Sequence, residues 1–463
     1  MRLAFLVPGG FLAGAVLCAF MLHSAPSAVG VDLAQPLVVV TYWQQSGAQM
    51  WLALALAVAI ASVGYVAVLR SSASTSLGVV RYLTMTTGRY LTMTCLVAAL
   101  ACAAALVFPV VFSSDVYAYA GYGDMALHGI SPYAHAHIAA RDPLLDAMLW
   151  QWGNPPPMCV YGPAFVWLAQ AVVAIFLPLG AAAPLWALRV LACIALVLCA
   201  PLAYGAFAPF PRSTRLAAAA GIALNPLAIW SAAEGHNDTI ALSIVLAGFA
   251  LAARSRAFTG ALVIALSALI KAPGAIAAIA LAASAFADRS RFARLAAGAV
   301  TGLAVAAALA VPLEYGARAQ LAPHGHYFPQ FSPQYVSFAF ALLLIAAVIV
   351  GGALTRVPAV YLVFALWCAI PNPYPWYAVW LLPVAFLAWR TQAAWALIAA
   401  SLLIVLRYYP DATTDISHRL GVAIVAIAFG IPALVLISHT ATARRNRPEI
   451  HTTVPDFATS HSS

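Results

Sequence analysis

Long apolar runs alternate with short polar islands along the whole chain. Largely charge-free stretches near 3–23, 50–69, 92–112, 216–233, 238–253, 295–313, 335–355 and 420–438 mark helices. Each is close to the ~20 residues that an α-helix needs to cross a bilayer. Shorter or broken apolar runs lie near 258–270, 272–287, 358–371, 376–389 and 393–406. Residues 161–207 hold two apolar stretches parted by Pro178 and Pro184, of which one is expected to be re-entrant or interfacial. The pattern predicts an all-α integral membrane protein of about 12–14 spans.

Arginine placement then assigns the sides. Arg70/Arg81/Arg89, Arg212/Arg215, Arg254/Arg256, Arg289/Arg291/Arg294, Arg356, Arg390 and Arg444/Arg445/Arg447 can all be cytoplasmic at once. On that scheme the outer face collects the loop 113–160, Glu234 to Asp238, Glu314 to Pro333, Pro371 to Trp376 and Tyr408 to Asp415. Residues 1–440 are read as one polytopic domain with an extracytoplasmic first loop at 113–160. The polar tail 441–463 is expected to be disordered and cytoplasmic.

Composition agrees with lipid as the solvent: 64% hydrophobic and 8% charged residues, with a mean hydropathy of +0.94. No soluble domain of 463 residues looks like this. The net charge of +9 rests almost wholly on Arg, since Lys271 is the only lysine, and its spread among short loops argues against nucleic-acid binding. Seven cysteines form no CxxC or other metal-ligand spacing. The segment 81–94 carries the direct repeat Arg-Tyr-Leu-Thr-Met-Thr, read as slippage without function. The apolar N-terminus resembles a signal peptide but is expected to remain as an uncleaved first helix.

Candidate chemistry lies in the outer loops. Phe112-Ser-Ser-Asp115-Val-Tyr-Ala-Tyr119 opens the first loop, which holds four of the thirteen acids. A helix from about Val116 would put Tyr119 and Tyr122 on one flank, with Asp115 at its positive end. Asp115 is then a general base, a helix cap, or both. Asp124 reads as a solvated or substrate-contacting acid. Glu234-Gly-His236-Asn237-Asp238 needs water or a polar cavity, where it could bind sugar hydroxyls or phosphate, or form an ordinary turn. Lys271 divides two half-length runs, with Pro273 behind it, as the apex of a broken helix. Its partner is an anionic phosphate or a neighbouring acid. In Pro371-Asn-Pro-Tyr374-Pro-Trp376-Tyr377 the aromatics form an interfacial belt or stack on a sugar. His135/His137 and His324/His326 reach no zinc spacing, so no metal and no cofactor is expected.

In order along the chain, Phe112 to Tyr119, His128-Gly-Ile-Ser-Pro-Tyr133, Tyr161-Gly-Pro163, Asn225-Pro226 with Gly235 to Asp238, Lys271 and Asn372 to Tyr377 resemble a known family. The family is the polyprenol-phosphate-mannose-dependent mannosyltransferases of the GT-C superfamily, and the likeness is greatest to actinobacterial α-(1→6)-mannopyranosyltransferases of lipoglycan assembly. It covers roughly residues 105–385.

The resemblance implies an inverting hexosyltransferase of a bacterial plasma membrane, with its site facing outward. Its donor would be a polyprenyl-phosphate sugar and its acceptor a glycolipid or glycan. Asp115 would be the catalytic base, and Lys271 and His236 would stabilise the leaving phosphate. Tyr119, Asp124, Tyr161, Glu234, His236, Asn237, Asp238, Lys271, Tyr374 and Trp376 would line the substrate site. Relatives often carry two adjacent acids in the first loop, whereas Ser114 precedes Asp115 here. A polytopic transporter or glycolipid flippase is the alternative reading.

Overall fold

A computed structural model describes residues 2–24, 36–73, 86–310, 374–408 and 427–438, less 109, 111, 135, 136, 140–142, 287, 429 and 437. The described secondary structure is helical, as the apolar periodicity requires. The helices are α1 (Leu6–Ser24), α2 (Pro36–Ala73), α3 (Thr87–Leu106), α4 (Asp115–Leu127), α5 (Pro143–Trp152), α6 (Pro163–Phe176), α7 (Ala182–Ala206) and α8 (Arg212–Ala223). They continue with α9 (Pro226–Ala233), α10 (Asp238–Ala252), α11 (Ala257–Leu266), α12 (Pro273–Ser284), α13 (Arg289–Ala310), α14 (Leu381–Leu387) and α15 (Gln392–Leu403). Short 3-10 turns occupy Ser267–Leu269, Pro375–Trp380 and Ile404–Arg407.

Five of these helices are long and apolar enough to cross a membrane, and α8 with α9 make a sixth if the pair is one bent span. The protein is an all-α membrane protein. Several apolar runs are realised as shorter helices: 163–179, 238–252, 257–269, 273–284, 375–387 and 392–407. The stretch 161–207 resolves into a short α6 and a 25-residue α7, so only the second has full spanning length. Runs near 335–355 and 358–371, the loop Glu314 to Pro333, His135, His324, His326 and the tail lie outside the described residues.

Two helix breaks matter for function. The first parts α8 from α9 by a 42° bend. Pro226 at the first turn of α9 lacks an N–H, and Asn225 supplies the cap: its side-chain oxygen accepts from Leu227 and Ala228 N–H at 3.0 and 3.1 Å. The Asn225 amide also donates to Ser401 Oγ at 2.9 Å, tying α9 to α15. The second break separates α11 from α12. There Pro273 cannot continue the hydrogen-bond ladder, so the chain passes through a 3-10 turn and leaves Lys271 at the gap.

Arg189 joins the pieces. From inside α7 its guanidinium donates to the carbonyls of Leu106, Phe108 and Ala233, at 3.1 Å for Leu106 and 3.0 Å for Phe108. Those carbonyls terminate α3 and α9, so one buried cation satisfies both helix ends. It thereby sets the segment before Asp115 against the segment before His236.

Candidate functional site

Asp115 is the first residue of α4, and Ser114 holds the cap position. The Asp115 carboxylate does not cap the helix as the sequence allowed. It accepts a hydrogen bond from Tyr119 Oη at 3.3 Å instead. An anion in the first turn is favoured by the helix dipole all the same. Two contacts steady this entry: Ser113 Oγ accepts from Asp115 N–H at 3.3 Å, and Trp152 Nε1 donates to Ser114 O at 3.4 Å.

Around Asp115 the structure gathers groups from distant parts of the chain. His236 Nδ1 lies 3.5 Å from Asp115 Oδ2 and 3.4 Å from Tyr119 Oη. On the other edge of the imidazole, Nε2 is 3.6 Å from Glu234 Oε2. Tyr408 Oη donates to that same glutamate oxygen at 2.8 Å. Glu234, His236, Asn237 and Asp238 are all buried, which excludes the solvated-turn reading of this loop. Gly235 makes the geometry possible. Its φ of +90° belongs to the region glycine enters freely, and a Cβ there would sit 3.0 Å from Val116 Cγ2 and 3.2 Å from Arg189 Cγ.

Lys271 makes an ion pair inside the protein. Its Nζ donates to Asp238 Oδ2 at 2.6 Å, while Trp380 Nε1 donates to Asp238 Oδ1 at 2.7 Å. The ammonium also lies 5.6 Å from the Tyr161 ring centroid and 5.1 Å from that of Tyr377, within cation–π range. Of the alternatives for this cation, the neighbouring acid is the one observed. Tyr161 arrives by close backbone approach: a Cβ on Gly162 would collide with Leu269 O, and Gly162 N–H donates to Ile270 O.

The aromatics of 374–377 form a column rather than an open platform. Trp376 stacks on His236 with centroids 4.1 Å apart and planes 20° apart. Tyr374 stacks on Trp376 at 4.3 Å and 7°. Two rings at such spacing cannot share one face of an indole, so they cover opposite faces. The Arg407 guanidinium lies 5.0 Å from the Tyr374 centroid. Trp376 therefore has no free ring face to offer a sugar here.

Electrostatics separates the acids. Burial pushes Asp115 up to about 6, with Lys271 and the Tyr119 hydroxyl pulling the other way. Burial pushes Glu234 further, to about 8, against the Tyr408 hydrogen bond. Burial holds His236 well below its ordinary range, and the positive Lys271 adds to that, so the imidazole is neutral. The Lys271 ammonium is disfavoured by burial, but Asp238 more than compensates and its pKa rises.

The sequence-named residues thus divide. Asp115, Tyr119, Tyr161, Glu234, His236, Asp238, Lys271, Tyr374 and Trp376 converge on one cluster. Asn237 sits in the same buried loop. Asp124 departs from expectation: it is fully buried, not solvated, and lies 3.3 Å from His128 Nδ1 one helical turn on. Tyr122 does not share a flank with Tyr119. Its hydroxyl reaches Pro157 O at 2.9 Å, and the ring packs in a second core with Met125, Met148 and Cys159. Sequence reading missed Arg189, Trp380, Arg407 and the role of Tyr408. Arg189 and Arg407 carried a usable signal, a cation inside an otherwise apolar run.

The chain belongs to the family described as alpha-(1→6)-mannopyranosyltransferase, N-terminal domain, whose model matches residues 9–287. It is also similar to alpha-(1→6)-mannopyranosyltransferase A of Corynebacterium glutamicum, 28% identical over 182 residues. That match takes in 37% of this chain and 36% of the relative, so the likeness spans about a third of the curated protein. No solved structure matches the chain.

Proposed function

We propose that the chain is an inverting mannosyltransferase of the bacterial plasma membrane, working at its outer face. It would move mannose from a polyprenyl-phosphate donor to a hydroxyl of a glycan or lipid-linked acceptor. Family membership supports the reaction class. The observation that carries the residue assignment is the contrast among three neighbouring acids. Glu234 and Asp238 have side chains 2% and 0% exposed and are bound by Tyr408 and by Lys271 with Trp380. Asp115 alone of the three reaches the surface, at 15%.

In this mechanism Asp115 takes the proton of the acceptor hydroxyl as that oxygen attacks the anomeric carbon. The bond to the phosphate oxygen breaks on the opposite face, and the polyprenyl monophosphate leaves. A single displacement inverts the centre and needs one base, not the carboxylate pair of a retaining hydrolase. A carboxyl titrating near 6 is ionised at neutral pH yet basic enough to accept a developing proton.

The test is transfer in membranes from a labelled polyprenyl-phosphate mannose to endogenous acceptor. Asp115→Asn, inserted at the wild-type level, is expected to lose activity by about 10²–10⁴-fold. Undiminished transfer by that variant would remove Asp115 from the mechanism. Movement of labelled lipid across the bilayer without a new glycosidic bond would favour a flippase.

A further inference from the structure

Between two buried carboxyls sits one imidazole. His236 presents Nδ1 to Asp115 Oδ2 at 3.5 Å and Nε2 to Glu234 Oε2 at 3.6 Å, with its ring plane set by the stack on Trp376. These separations are loose, as catalytic hydrogen bonds often are before substrate binds. A neutral imidazole has one N–H and one lone pair. Flanked by two carboxylates, its bare nitrogen would face the lone pairs of an anion in a medium of low polarity. The Tyr119 hydroxyl, 3.4 Å from Nδ1, is directed to Asp115 Oδ2 at 3.3 Å, so one further proton within the cluster relieves this repulsion, and the three groups together then carry a single negative charge.

Geometry decides which carboxyl holds that proton. Asp115 keeps part of its side chain exposed and feels the Lys271 ammonium as its largest favourable charge. Glu234 is 2% exposed and accepts a hydrogen bond from Tyr408; the guanidinium of Arg189 helps it only weakly, being already committed to three carbonyls. The ionised form is thus better supported at Asp115.

We propose that Glu234, protonated, is a positioning residue for the transfer reaction: it donates to His236 Nε2 and so directs the Nδ1–H of His236 at Asp115. In that tautomer the imidazole stabilises the Asp115 carboxylate through Oδ2, leaving Oδ1 for the acceptor proton. No proton leaves the triad during the step; one is added, from the acceptor, at Asp115, and it departs to water after the product. The inference rests on the transferase reading and deepens it, by giving His236 and Glu234 a task other than contacting substrate.

The groups that face the triad are Tyr119 from α4, Tyr161 ahead of α6, Arg189 from α7, Asp238 from α10, Lys271 from the α11–α12 break, and Tyr408 after the 404–407 turn. Tyr408 favours ionised Glu234 by its hydrogen bond. Burial holds Glu234 near 8, so its proton is present below that pH and lost above it. When it is lost, the tautomer preference reverses and the support for Asp115 disappears.

The experiment is the pH profile of mannose transfer in membranes for wild type, Glu234→Gln and Tyr408→Phe. Wild type is expected to lose about tenfold in rate from about pH 7 to about pH 9, as one essential proton titrates. Glu234→Gln, whose amide donates at every pH, is expected to lose that alkaline limb. Tyr408→Phe, which removes a hydrogen bond to the ionised form, should move the limb to higher pH. If Glu234→Gln does not insert, the Tyr408→Phe shift decides. A limb absent from wild type, or unmoved by both substitutions, overturns the positioning role while leaving the transferase intact. Wild-type membranes that transfer no mannose at any pH overturn the transferase reading itself.

Discussion

His236 lies flat on Trp376, with ring centroids 4.1 Å apart, and this contact fixes the plane in which both imidazole nitrogens point. Trp376 is thus covered by His236 and Tyr374, and on the proposed mechanism it orients the imidazole. Trp376→Leu is expected to lower kcat while leaving the KM for the sugar donor within about twofold, as loss of orientation does. Trp376→Phe, which can still stack, should recover much of the rate. A rise in donor KM as the main effect would assign the indole to substrate instead.

In the proposed mechanism Asp115 must be ionised to act as the base, and burial raises its folded-state pKa to about 6. On the acid side the rate should therefore approach its plateau above that pH and fall about tenfold per unit below it, as the carboxyl takes a proton. The slope of transfer rate against pH between about 4 and 7 measures this. Lys271→Met removes the largest charge favouring the carboxylate, so the limb should move to higher pH.

Lys271 and Asp238 form a buried ion pair with a 2.6 Å contact. Removing one partner leaves an uncompensated buried charge, which costs about 3–5 kcal/mol. Lys271→Met alone is expected to lower the apparent Tm in detergent more than Lys271→Met combined with Asp238→Asn. Losses that simply add, with Asp238→Asn also measured alone, would show that the two charges are uncoupled.

Gly235 adopts φ of +90°, beside Val116 and Arg189. Gly235→Ala adds about 1–2 kcal/mol of backbone strain and drives a methyl toward the residue next to Asp115. Both the apparent Tm and the transfer rate should fall. Gly129→Ala, at φ of +73° with open space around it, supplies the strain without the contact. Its effect on transfer should be smaller, as paired activity and melting measurements would reveal.

Much of the fold was legible because lipid leaves the chain few choices. Backbone polar groups must be satisfied internally, so charge-free apolar runs of sufficient length become helices. Pro273 announced the break beside Lys271, since proline lacks the donor that a continuing helix needs, whereas 216–233 read as one span and its bend at Asn225-Pro226 emerged only in the structure. The loop Glu234 to Asp238 and the lone Lys271 stood out because polar groups amid such hydropathy require a partner.

Partner choice was another matter. That Lys271 meets Asp238, that His236 bridges Asp115 and Glu234, and that Trp376 is covered on both faces depend on contacts between residues up to 174 apart in the chain, as in Tyr408 to Glu234. Composition and spacing fix which groups cannot be left alone in a bilayer. Which group answers which is set by how the helices pack, because a buried charge or hydrogen-bonding atom takes the nearest satisfying partner in space, and sequence distance carries no information about that.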